Sequence, residues 1–168
     1  RADISYQVLV YSFADKDGDK YGDLNGLIDK LDYINSLGVT ALWLSPIHPA
    51  MSYHGYDVTD HTKVNPKLGT EADFDRLITE AHKRNITIYL DYVMNHTGKA
   101  HPLFKQATSS TDNLYRSYSL FSQSPQTEIA EGKIAMIPKE EYAANEWFAT
   151  SSEDTEVKGI YTFSLDWS

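Results

Sequence analysis

The feature that most constrains this chain is a repeated switch of hydrophobic period, from strand-like runs to helix-like stripes and back. Tyr6-Gln-Val-Leu-Val-Tyr11 is short, β-branched and aromatic, and reads as a strand. Leu24, Leu27, Ile28, Leu31, Ile34 and Leu37 then recur at spacings of three and four, which predicts a helix with one buried stripe. Gly38 stands where a left-handed C-terminal cap is wanted. Val39-Thr-Ala-Leu-Trp-Leu44 is nearly continuous in apolar character, as expected of a parallel strand covered on both faces. A long loop runs to about Leu68. Thr70 with Asp73 resembles a capping box that uses the shorter acid, and the helix it opens turns Ala72, Phe74, Leu77, Ile78 and Ala81 inward. Ile86-Thr-Ile-Tyr-Leu-Asp-Tyr-Val93 is a third strand.

A β-α-β-α-β order with such connections specifies the α/β class with a parallel sheet. Periodicity is lost after Thr97. Residues 98–168 read as an excursion from the third strand, with short candidate strands at Lys133–Pro138 and Gly159–Leu165. Three βα steps close nothing, since an eight-stranded parallel barrel takes about 250 residues. An open three-stranded sheet would leave apolar edges unpaired, so this stretch alone is expected to fold poorly.

Composition removes several classes of function. The net charge of -9 argues against a nucleic-acid partner, because phosphate binding needs clustered Lys and Arg. No apolar run reaches the roughly 18 residues of a membrane span. The chain opens without a charged-then-apolar leader, which reads as a mature or cytoplasmic start. With no cysteine there is no disulfide framework. The 12 Tyr and 3 Trp supply flat rings with polar edges, which suit sugar faces as well as core margins.

Three loops carry the chemistry. Asp15, Asp17, Asp19 and Asp23 place four carboxylates at spacings of two, two and four. Hard cations such as calcium take six to eight oxygens at about 2.3–2.6 Å, and crowded carboxylates repel without one. The loop is not an EF-hand, because its sixth position is Lys20 and its twelfth Gly26. The expected Ca2+ ligands are Asp15, Asp17, Asp19 and Asp23 with the carbonyl of Tyr21. The alternative is a solvated acidic turn with Asp23 at a helix N-terminus. Ser52-Tyr-His-Gly-Tyr-Asp57 lies beyond the C-terminal end of the second strand, the end where parallel barrels form active sites. There Gly55 would let the backbone approach a ligand, Tyr56 could stack on a sugar, and His54 and Asp57 could bond hydroxyls. A plain structural turn is the alternative. Asp91-Tyr-Val-Met-Asn95-His96 ends the third strand, with Asp91, Val93 and Asn95 on one face and His96 opening the loop. A buried Asp91 must be paired or hydrogen-bonded. The alternative is a satisfied core Asp with a solvent-facing His.

Taken in order, these features resemble the α-amylase family of glycoside hydrolases. There the third barrel strand ends in an Asp-Val-Val-x-Asn-His-like motif, here Asp91 to His96, and the loop after strand two carries a Gly-Tyr pair, here Gly55-Tyr56. A loop of the form Asp-x-Asp-x-Asp-x-x-Gly-Asp followed by Leu-x-Gly matches Asp15 through Ile28. The resemblance spans residues 6–97 and implies the N-terminal part of a (β/α)8 TIM barrel in residues 1–97, followed by the start of an inserted domain B in 98–168. It implies that Tyr56 stacks on the glucose next to the scissile bond, that His96 bonds the same ring, that Asp91 supports the site and that Asn95 can hold a second calcium. It further implies endo-acting, retaining hydrolysis of α-1,4-glucosidic bonds in starch and maltooligosaccharides by an Asp nucleophile and a Glu acid/base about 5–5.5 Å apart. Those acids belong to strands four, five and seven, whose motifs do not occur here, so no catalytic residue is named.

Tyr-His-Gly-Tyr favours α-amylase-like or neopullulanase-like action over oligo-1,6-glucosidases, which tend to show Asn-Gly-Tyr-Asp. The stretch is similar to cell-surface starch-degrading amylases of gut Bacteroidetes, whose domain B can carry a starch-binding module; the tail ending at Trp167 would suit the approach to one. The expected protein is then a monomer, extracellular or at the cell surface, with a lipid anchor, if any, outside this segment. A sugar-binding relative without catalysis, and a calcium-stabilised interaction domain, are the competing classes.

Overall fold

A computed structural model describes residues 4–110, 112–119 and 131, and the chain divides into two units between His101 and Pro102. In the first unit three strands, β1 (Ser5–Val8), β2 (Ala41–Leu44) and β3 (Thr87–Leu90), run parallel in that order. Ser5 pairs with Ala41 and Ala41 with Thr87, and the register holds to Val8, Leu44 and Leu90. Between the strands lie α1 (Val10–Phe13), α2 (Leu24–Asp29), α3 (Leu31–Ser36) and α4 (Glu71–His82). This is the βαβαβ order with which a (β/α)8 barrel begins.

Side-chain alternation sorts the sheet into two faces. Val8, Leu42 and Leu44 point to the helices and are buried with Leu24, Leu27, Leu31 and Ile34 from α2 and α3, and Leu77 and Ala81 from α4. Each of the Val, Leu and Ile side chains contributes roughly 1.5–3 kcal/mol through burial. The opposite face carries the row Gln7, Trp43 and Tyr89, and Trp43 and Tyr89 remain 42% and 57% exposed. Of the two faces of β2, the helices cover one, and the face of Trp43 stays open in this three-stranded sheet.

Local differences from the sequence reading have identifiable causes. The first strand stops at Val8 instead of Tyr11, because the returning acidic loop captures the backbone beyond it. Gly22 N–H donates to the Tyr11 carbonyl at 2.6 Å, and Asp23 N–H to that of Ala14 at 2.9 Å. The predicted helix over Leu24–Leu37 divides at Lys30 into α2 and α3. Leu37 follows the last turn and is exposed, while Gly38 has the expected left-handed φ of 78°. The Thr70–Asp73 capping box forms in both directions, yet Ala72 in the first turn of α4 is exposed and the buried stripe starts at Phe74. The third strand ends at Leu90, so the alternation proposed for Asp91, Val93 and Asn95 is not continued: Val93 is buried and Asn95 exposed.

The second unit contains α5 (Pro102–Ser109) and a 3-10 helix, Leu114–Tyr118. Pro at the first helical position costs no hydrogen bond. Asn113 Nδ2 ties the two together by donating to the carbonyls of Gln106 at 2.8 Å and Ser110 at 3.0 Å. The candidate strands at Lys133–Pro138 and Gly159–Leu165 lie outside the described residues. Among the described residues no helix is long and apolar enough to cross a membrane.

Candidate functional site

The loop after β2 folds back on itself before it presents its polar groups. Ala50 and Val58 form an antiparallel bridge, and Thr59 N–H donates to the Pro49 carbonyl at 2.7 Å. At the tip Gly55 adopts φ 82°, and a Cβ there would lie 2.6 Å from the Pro46 carbonyl oxygen. Glycine is thus required here by packing on Pro46.

Within this loop Ser52 is the organiser. Its N–H and Oγ both donate to Asp57 Oδ1, at 3.0 and 2.7 Å, and its Oγ lies 2.7 Å from His54 Nε2. Tyr56 N–H donates to His54 Nδ1 at 3.1 Å. Because Nδ1 accepts, the neutral imidazole carries its proton on Nε2 and donates to Ser52 Oγ. The network therefore fixes His54, Tyr56 and Asp57 together.

Tyr56 then reaches the end of β3. Its hydroxyl donates to Asp91 Oδ2 at 2.7 Å, and Asp91 N–H donates to the Leu44 carbonyl at 2.9 Å. Burial, then the hydrogen bond and negative charge of Asp91, push the Tyr56 hydroxyl up to about 12. Asp91 is half-buried and has the partner that such a carboxylate requires. Asn95 and His96 stand apart from this pair: Asn95 is exposed, and its Nδ2 lies 3.3 Å from His96 Nδ1. His61 was not anticipated. Its Nε2–H donates to the Val93 carbonyl at 2.8 Å and holds the exit from β3, a contact 32 residues away in sequence that no local pattern announces.

The acidic loop brings together three of its four carboxylates. One oxygen each from Asp15, Asp17 and Asp19 lies within 4.8 Å of the others. They also shape the turn, with Gly18 and Lys20 N–H donating to Asp15, Asp19 N–H to Asp17, and Tyr21 N–H to Asp19. Asp23 is not drawn into this cluster. It is buried as the N-cap of α2, its Oδ1 accepting from Gly26 N–H at 2.7 Å and its Oδ2 from Lys16 N–H at 2.7 Å. Burial pushes its carboxyl upward, but amides of Lys16, Gly26, Asp17 and Asn25 outweigh this and hold it below the usual carboxylate range. A set of hard oxygen donors converging on one point fits a divalent cation such as calcium.

A run of rings joins the two loops. Tyr21 stacks on Tyr11 with centroids 4.9 Å apart, Tyr11 meets Tyr53 at 5.8 Å, Tyr53 meets His54 at 5.5 Å, and His54 stacks on Tyr56 at 5.9 Å. Read as a strand residue, Tyr11 gave no sign of this role.

Comparison with known proteins places the chain in a family. The family described as alpha amylase, catalytic domain, matches residues 7–158, well past the Thr97 at which the motif resemblance stops. The chain belongs to that family. Alpha-amylase SusG of Bacteroides thetaiotaomicron is 69% identical over 171 residues, covering all of this chain and 25% of that protein. Alpha-amylase 3 of Dictyoglomus thermophilum is 57% identical over 119 residues, covering 71% of this chain and 24% of that protein. Among solved structures, Eubacterium rectale Amy13B superposes with a TM-score of 0.69 at 48% identity, over 71% of this chain and 25% of that one. The chain thus spans about a quarter of the length of these relatives. Within the family fold its three strands are the first part of the barrel, and the Tyr56–Asp91 pair sits at the strands' C-terminal end.

Proposed function

We propose that this chain is the substrate- and cation-binding opening of an endo-acting α-glucan hydrolase that cleaves α-1,4 bonds of starch and maltooligosaccharides with retention. The observation that carries the reading is the 2.7 Å Tyr56–Asp91 hydrogen bond. It anchors an exposed ring at the C-terminal end of a parallel strand, where barrels of this kind place substrate. Tyr56 stacks on the glucose unit at the cleavage point and Asp91 fixes the ring's attitude. His54, Asp57 and His96 supply hydrogen bonds to sugar hydroxyls. The acids that break the bond come from strands this stretch does not contain, so every residue named here binds or orients.

Asp15, Asp17 and Asp19, with the Tyr21 carbonyl, hold calcium, and Asp23 shapes their loop from its helix cap; Asn95 is the candidate ligand of a second ion. Calcium in the first site neutralises the carboxylates and stiffens the loop. Residues 98–168 open domain B. The likeness to alpha-amylase SusG at 69% identity supports the amylase reading. In this proposal the complete protein is a monomer acting outside the cell or at its surface, with any lipid anchor outside this segment.

The test is release of reducing sugar from soluble starch and maltoheptaose by the complete polypeptide, with and without Tyr56→Ala. Retained anomeric configuration and a loss on Tyr56→Ala are expected. Binding without hydrolysis would mean a sugar-binding relative, and neither binding nor hydrolysis would overturn the reading.

A further inference from the structure

The run of rings described above extends beyond the proposed site in one direction only, towards the acidic loop, and its members are not equivalent. Tyr11 is half-buried and packs against the core, and its carbonyl accepts from Gly22. Tyr53 and Tyr21, by contrast, are 65% and 46% exposed, and both lie against the Tyr11 ring. Neither belongs to the core, so core packing does not account for two exposed rings laid against Tyr11. Both exposed rings are nevertheless supported by other rings: Tyr21 stacks on Tyr11, and Tyr53 lies against Tyr11 and His54, whose imidazole is bonded to Ser52. Supported, exposed, amphipathic rings lose little freedom on binding and present flat faces with a polar edge.

We propose that Tyr53 and the Tyr11–Tyr21 stack form an extended binding surface for further glucose units of a linear α-glucan, continuous with Tyr56. This rests on the proposed function of the Tyr56 site and adds a determinant of chain length to it. The Tyr53 ring takes the apolar face of a sugar beyond the one on Tyr56, and the Tyr21 ring takes a more distant one.

Calorimetry of the complete polypeptide with maltotriose and maltoheptaose tests this, using Tyr53→Ala, Tyr53→Phe and Tyr21→Ala. Tyr53→Ala is expected to weaken maltoheptaose about tenfold, the order found for removal of one stacking ring, and to lower the heptaose-to-triose affinity ratio accordingly. Tyr53→Phe keeps that ratio. Tyr21→Ala lowers it by a smaller factor. Equal weakening of both sugars by Tyr53→Ala would mean that the ring merely supports His54 and Tyr56, and would overturn the proposal. So would an unchanged ratio in both alanine variants. Failure of the unsubstituted protein to bind either sugar would remove the function proposed for Tyr56 itself, a result distinct from loss of the length effect alone.

Discussion

The hydroxyl of Tyr56 donates to Asp91 Oδ2 at 2.7 Å and so closes a loop of 35 residues, fastening the segment after β2 to the end of β3. Hydrogen bonds to a charged group contribute about 1.5–3 kcal/mol, and partial exposure of this pair reduces that to about 1 kcal/mol. A double-mutant cycle with Tyr56→Phe and Asp91→Asn, read by denaturant unfolding of the complete polypeptide, is expected to return a coupling of that size. Strictly additive losses would mean that the contact is incidental.

The same pair predicts a response to alkaline pH. The folded-state value of Tyr56, about 12, lies above the value of about 10 for an unperturbed tyrosine. The folded state therefore holds this proton more tightly than the unfolded one. Its stabilisation is complete below pH 10 and is lost as pH rises towards 12. Ultraviolet titration should show a late-ionising tyrosine that disappears in Tyr56→Phe. If the variant titrates like the parent, another ring is responsible.

How far the sequence reaches is clear from particular residues. Leu24, Leu27, Leu31 and Ile34 lie in the core as their spacing requires, and Thr70 and Asp73 cap α4 reciprocally, because both patterns are local. Gly55 was correctly marked as necessary, but the atom that needs it, the Pro46 carbonyl, is known only once the loop folds back. The place of Tyr11 outside the first strand has the same kind of cause. The fate of Tyr11 depends on Gly22, and the exposure of Trp43 on the absence, among the described residues, of strands that would close over its face. Pairings such as Ser52–Asp57 and His61–Val93 are tertiary or loop contacts with no period, so only coordinates reveal them.

Asp23 joins the acidic loop to α2, and its removal should be felt in both. Asp23→Ala strips a cap from a helix whose neighbouring side chains are fully buried, which costs about 0.5–2 kcal/mol. Its carboxyl is held below the usual range, so its contribution is present above about pH 4 and fades as pH falls through the folded-state value. Acid unfolding followed by circular dichroism should begin at higher pH in a destabilising neighbour such as Leu27→Ala, whereas Asp23→Ala should show less acid dependence than the parent. Identical acid dependence in parent and Asp23→Ala would place the effect elsewhere.

The carboxylate cluster predicts cation-dependent stability. A ligand that binds only the folded state adds about 2.7 kcal/mol at a hundredfold excess over its dissociation constant. Chelation should therefore lower the melting temperature of the complete polypeptide, and Asp17→Asn should shrink that shift, since Asp17 contributes one of the three converging oxygens. Asp23→Ala, which leaves those oxygens in place, should retain more of it. A melting temperature indifferent to chelation would leave the loop as a turn held by its own amide bonds.

The row Gln7, Trp43 and Tyr89 makes the strongest statement about the chain expressed as these 168 residues. Its two large rings lie on the face of the sheet opposite the helices, where Trp43 and Tyr89 stay substantially exposed. In a closed (β/α)8 barrel that face is the packed interior, filled by side chains from alternate strands. Without further strands it is a wet apolar surface beside unpaired strand edges, a combination that favours association. Sedimentation velocity of the isolated chain should show self-association, accompanied by binding of a hydrophobic dye, and Trp43→Ser with Tyr89→Ser should reduce both. A monodisperse monomer that binds no dye would mean that this face is stable in water, and would count against assigning it to a barrel interior.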